Sequence, residues 1–85
     1  MSRLEKAKER LRSLPSDYTF SEARALLMLL GFEEFTKGKT SGSRVKFYRE
    51  TDQKIIMLHK PHPGDVMKKG AVRYLKESLQ ESGDI

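Results

Sequence analysis

Gly31 divides this chain, because the spacing of apolar residues changes there from a helical to an extended period. Ahead of it, Thr19 and Glu22 have the S/T-x-x-E spacing of a capping box, in which each side chain accepts an orphan backbone N–H at a helix start. Ala23, Leu26, Leu27 and Leu30 then recur at intervals of three and four, which puts them on one helical face. Gly31 itself is placed to follow the C-cap. Beyond it, Phe32–Thr36, Ser43–Arg49 and Lys54–His59 are short, rich in aromatic or β-branched residues, and separated by turn-prone stretches, the signature of strands.

The remaining elements follow by the same reasoning. Ser2 and Glu5 repeat the capping-box spacing. Leu4, Ala7, Leu11 and Leu14 form a stripe, Lys6, Lys8, Arg10 and Arg12 crowd the other face, and Pro15 stops the helix. Val45 and Phe47 alternate with Arg44, Lys46 and Tyr48, as expected of a strand with one wet face. Ile55-Ile56-Met57-Leu58 is apolar on both faces, which suits a central strand or one covered on both sides, with no register decided by the pattern. A Pro/Gly-rich link, Lys60–Gly64, leads to a last helix over about Lys68–Gln80, with Ala71, Val72, Leu75 and Leu79 inward.

The order is therefore α-α-β-β-β-α. Three meandering antiparallel strands with helices on one face make an α+β sandwich of two layers. Residues 1–15 form an additional N-terminal helix, whose stripe packs on the domain or meets a partner, and the sequence does not choose. Residues 16–80 form the domain proper, and residues 81–85 are expected to fray.

Composition removes several function classes. At 85 residues folding buries only about 60% of the unfolded chain's surface, which argues against deep clefts. The absence of cysteine excludes disulfide frameworks and suits a reducing cytoplasm. Two histidines and no Asp/Glu/His cluster at ligand spacing argue against a metal, and no cofactor is implied. The longest apolar run, Ala25–Leu30, is far short of the roughly 18 residues a membrane span needs. Charges stand in Met1–Lys6 where a signal peptide needs its apolar region. A soluble, unexported, cytoplasmic protein is expected. The net charge of +5 points to a polyanionic partner.

Four motifs then stand in a definite order: Leu30-Gly31-Phe32, Ser41-Gly42-Ser43-Arg44, Leu58-His59-Lys60-Pro61-His62-Pro63 and Lys68-Lys69-Gly70-Ala71-Val72. Together, from about Thr19 to Leu79, they resemble the HicA family, the toxin half of bacterial toxin–antitoxin pairs. The resemblance implies a fold like a double-stranded-RNA-binding domain, metal-independent cleavage of mRNA, and a HicB antitoxin that masks the active site. It also exposes a departure, since the family's usual pattern has a histidine after Gly-Ser where this chain has Arg44.

Arginine stays protonated and cannot act as a general base, though it can hold a phosphate or stabilise charge developing on one. Cleavage of RNA by its own 2′-hydroxyl needs a base for that proton and an acid for the leaving oxygen, and imidazole suits either task. His59 is thus assigned the acid/base role, His62 an assisting one, and Arg44 the phosphate contact. Lys37, Lys39, Lys46, Lys60, Lys69 and Arg73 are candidate RNA contacts, and Tyr48 a candidate for base stacking. The competing readings are plain: His59 bonds a loop carbonyl, His62 is a solvated link residue, the charges are solvated faces, and Tyr48 is a half-buried strand residue. At the level of function, the endoribonuclease toxin competes with a non-catalytic RNA-binding module and with a protein-interaction domain whose contact is the first helix.

Overall fold

The computed structural model describes residues 2–35 and 44–85. Its elements are α1 (Arg3–Arg12), α2 (Phe20–Leu29), β1 (Glu33–Phe35), β2 (Arg44–Arg49), β3 (Lys54–His59) and α3 (Lys69–Glu81). The strands form one antiparallel sheet in the order β1-β2-β3. The architecture is α+β in the expected order. Among the described residues no helix is long and apolar enough to cross a membrane.

Local chemistry explains the helix limits. Thr19 and Glu22 form the reciprocal capping box of α2, each side chain accepting the other's backbone N–H. At α1 the Ser2 hydroxyl accepts the Glu5 N–H, one half of such a box. The far end of α2 closes when the Phe32 N–H donates to the Leu27 carbonyl and the Gly31 N–H to the Met28 carbonyl. That pattern needs a left-handed residue, and Gly31 sits at φ +93°. The same closure ends α3, with Gly83 at φ +78° and the Asp84 N–H donating to the Leu79 carbonyl.

One core lies between the helices and the sheet. Ala23, Leu26 and Leu27 of α2, Val72, Leu75 and Leu79 of α3, and Val45, Phe47, Ile56 and Leu58 of the sheet are all buried in it. Leu11 of α1 belongs to the same cluster, with Leu4, Ala7 and Leu14 packed at its margin. The first helix therefore spends its stripe on the domain. Phe32 is buried but precedes β1 instead of opening it, its N–H being spent on the Leu27 carbonyl at the end of α2, and Thr36 lies outside the described residues.

The structure differs from expectation at β3. It is an edge strand, neither central nor covered on both faces. Pairing of Ile56 with Phe47 and of Leu58 with Val45 turns those side chains inward, so Ile55 and Met57 face out, 49% and 40% exposed. The link after β3 is tied down by backbone bonds, from the Phe20 N–H to the Asp65 carbonyl and from the Met67 N–H to the Tyr18 carbonyl. The Asp65 carboxylate also accepts the Ser21 N–H in the first turn of α2.

Arg49, at the end of β2, joins the layers. Its guanidinium pairs with Asp52 of the hairpin and Asp84 of the C-terminal segment, donates to the Leu30 carbonyl, and lies 4.5 Å from the centre of the Phe32 ring. Hydrogen bonds from this guanidinium hold the Asp84 carboxyl below the usual carboxylate range, and Asp52 likewise. Arg10 lowers Glu22 in the same way, across the α1–α2 contact.

Arg49→Ala leaves Asp84 without its partner and is expected to cost about 3 kcal/mol of unfolding free energy, read from the urea midpoint at constant slope. The pH dependence has a definite sign. Carboxyls lowered in the folded state stabilise it above the ordinary carboxylate range, near pH 4, and that contribution is lost as pH falls through their lowered values. Asp84→Asn should therefore have a lower Tm than the parent at neutral pH and a shallower decline below about pH 4. Parallel declines would remove Asp84 from this account.

Candidate nucleic-acid interface

Strand alternation sends every second side chain of the sheet away from the helices. On β2 these are Arg44, Lys46 and Tyr48, and on β3 they are Ile55, Met57 and His59. Arg44 and Lys46 are exposed, as is His59, while Tyr48 is half-buried. Cross-strand register arranges them in rows. Arg44 stands opposite His59, Lys46 is flanked by Phe35 and Met57, and Tyr48 is flanked by Glu33 and Ile55. Directly opposed residues in an antiparallel pair hold their Cβ atoms about 5 Å apart. The Arg44 and His59 side chains therefore issue from adjacent positions on one exposed face.

In the helical layer and at its seams, three arginines cross-link elements: Arg10 with Asp17 and Glu22, Arg24 with Glu34, Arg49 with Asp52 and Asp84. On the open sheet face, among the described residues, no carboxylate pairs with Arg44, Lys46, His59 or Lys60. Glu33 and Glu50 lie at the opposite end of the face, beside and after Tyr48. One end of the sheet is thus cationic and can attract a phosphate, while the other is not.

The predicted site residues are only partly assembled. Arg44, Lys46 and His59 share the open face, and exposed Lys60 follows directly after His59. His62 is exposed in the link, three residues past the strand end. Among the described residues no hydrogen bond joins it to His59 or Arg44. Lys69 and Arg73 are exposed on α3, in the helical layer rather than on the open face. Lys37 and Lys39 lie outside the described residues, as do Gly42 and Ser43. No three His, Cys, Asp or Glu side chains among the described residues are grouped to hold a metal ion.

Sequence reasoning missed the apolar part of this face. Phe35, Ile55 and Met57 are 41%, 49% and 40% exposed, and the Phe35 and Tyr48 rings meet edge to face with centroids 6.1 Å apart. The signal was present in the alternation of Ile55 and Met57 with Ile56 and Leu58. Only the register of β3 on β2, with Ile56 opposite Phe47 and Leu58 opposite Val45, decides which pair is outside.

Compared with known proteins, residues 20–83 match a family model described as HicA toxin of bacterial toxin-antitoxin. The match covers every element except α1. Neither the curated proteins nor the solved structures give a match.

If the open face binds single-stranded RNA, Arg44→Ala and Lys46→Ala should each flatten the slope of log K against log salt by about 0.7. A short oligonucleotide that fits on the sheet should be indifferent to Lys69→Ala and Arg73→Ala. Fluorescence anisotropy across a salt series measures both.

Proposed function

Because the chain belongs to the HicA toxin family, we propose that it is an endoribonuclease toxin that cleaves mRNA in the cytoplasm and is neutralised by a HicB-like antitoxin. The observation that carries this reading is the Arg44–His59 cross-strand pair, exposed at the cationic end of an open sheet face. A guanidinium and an imidazole side by side supply a ligand for the phosphate and a base for the 2′-hydroxyl proton.

In the proposed step, His59 takes the proton of the 2′-hydroxyl as that oxygen attacks the adjacent phosphorus. The P–O5′ bond breaks, leaving a 2′,3′-cyclic phosphate, and His62 supplies the proton that leaves with the 5′ oxygen. Arg44 keeps its charge throughout, binding the phosphate in the ground state and stabilising the added negative charge in the transition state. It therefore replaces the family's usual histidine as a phosphate ligand, and the proton transfer passes to the neighbouring strand. Lys46 and Lys60 extend the phosphate track on either side. Lys69 and Arg73, with Lys37 and Lys39, are assigned to more distant phosphates of a longer RNA. The step uses no metal.

Neutralisation follows from the same exposure. A partner that covers the open face removes Arg44 and His59 from RNA and buries Phe35, Ile55 and Met57, whose exposure is otherwise a cost in water.

Purified protein incubated with mRNA in chelator should yield fragments ending in cyclic phosphate. His59→Ala should slow this by at least about 100-fold, with RNA affinity nearly unchanged, whereas Arg44→Ala should weaken affinity and rate together. Equal cleavage by His59→Ala and the parent would refute the assignment. Tight RNA binding by a parent that never cleaves would make the protein a binding module instead.

A further inference from the structure

The open face has a second half that the proposed cleavage step does not use. One row from the Arg44–His59 pair, Lys46 stands between Phe35 and Met57. One row further, Tyr48 stands between Glu33 and Ile55. Four apolar or aromatic side chains thus stand near one lysine, and among the described residues the other cations of this face, Arg44 and Lys60, lie toward His59.

We propose that Phe35 and Tyr48 form a base-stacking subsite that seats an unpaired nucleotide of the RNA and so places the phosphate beside it at Arg44 and His59. This rests on the reading that the chain cleaves RNA, and it names how the substrate is held.

Three observations carry it. The first is ring geometry. Phe35 and Tyr48 meet at 65° with centroids 6.1 Å apart. An edge-to-face pair leaves the face of at least one ring uncovered by the other, and every base has a π-face to lay on it. The second is the division of charge. Phosphates favour the Arg44–Lys46 end, while Glu33, in the Tyr48 row, repels them. A strand on this face is therefore oriented with its backbone along the cations and its bases over the aromatic rows. The third is reach. Arg44 and Tyr48 are four residues apart on β2, about 13 Å at an ordinary strand rise, which suits a short run of nucleotides and is too short for two grooves of a duplex.

An A-form helix keeps its bases stacked and presents sugars and phosphates. The subsite consequently selects single-stranded regions. A protein partner is the other class of occupant for an apolar face. Against it as the primary one stands the lysine set between Phe35 and Met57, which matches a phosphate beside bases directly.

The test uses the full chain with a fluorescein-labelled, unstructured RNA and a duplex of equal length. Phe35→Leu and Tyr48→Leu keep apolar bulk and remove the ring. Each is expected to weaken single-strand binding about tenfold while leaving the salt slope and the duplex affinity unchanged, and Tyr48→Phe should bind like the parent. Loss of affinity with a reduced salt slope, or equal loss for duplex and single strand, would overturn the stacking role. Should the leucine variants bind and cleave like the parent, the subsite is wrong and the nuclease reading survives. Should the parent itself bind no single-stranded RNA, both fall. A variant that fails to fold is bypassed by ultraviolet cross-linking of 4-thiouridine RNA to the parent. Adducts at Phe35 or Tyr48 support the proposal, and adducts confined to α3 overturn it.

Discussion

A guanidinium held almost out of water must find carboxylates and carbonyls, or the fold that encloses it is lost. Arg49, with its side chain 11% exposed, is in that position, and its partners come from parts of the chain that have little else to join them. Leu30 ends α2, Phe32 opens the path to β1, Asp52 lies in the β2–β3 hairpin, and Asp84 follows α3. Two of the glycines at positive φ bring the helix ends to it, since Gly31 turns the chain ahead of Phe32, whose ring lies under the guanidinium, and Gly83 turns it ahead of Asp84. This clamp fixes where β1 starts against the end of β2, and with it the register Glu33↔Tyr48 and Phe35↔Lys46. The composition of the open face is a consequence.

Pairing divides the arginines into those that cross-link elements and those left free for a ligand. Two helix-borne arginines are consumed in cross-links, Arg10 to Glu22 between α1 and α2 and Arg24 to Glu34 between α2 and β1. Arg3 of α1 and Lys69 and Arg73 of α3 pair with no carboxylate among the described residues, so the helical layer keeps positive charge of its own. Much of the local excess of positive charge on the sheet is left at the Arg44–His59 end, where a polyanion meets the least competition from fixed carboxylates. The net charge of +5 is thus a poor guide to affinity on its own. Its distribution, set by which cations are already paired, is the informative quantity.

Much of the architecture was legible in the residues. Thr19 and Glu22 announced α2, the three-and-four spacing of its leucines gave its inner face, and alternation at Val45 and Phe47 gave that of β2. The Gly-Phe, His-Lys-Pro-His-Pro and Lys-Lys-Gly motifs carried the likeness to the HicA family, which the match over residues 20–83 establishes. The candidate site was legible in part. His59, Arg44 and Lys46 could be named for their chemistry, but nothing in one dimension says that a strand end and a strand start will stand opposite each other. Phe35, Ile55 and Met57 were invisible as surface residues, because an apolar side chain in a strand is ordinarily read as core. The pairing of Arg10 with Glu22 and of Arg49 with Asp84 was not legible, because those partners lie 12 and 35 residues away.

Local interactions alone determined the kinds of element, their order and the inner stripe of each helix, since capping, periodicity and turn chemistry act within a few residues of their cause. Tertiary structure decided the rest. The register of β3 on β2 chose which of its apolar residues meet water and brought Arg44 and His59 together, and the Arg49 contacts tie the start of β1 to the end of β2. Each of those outcomes depends on contacts between residues distant in the chain, whose energies exist only once the layers have packed.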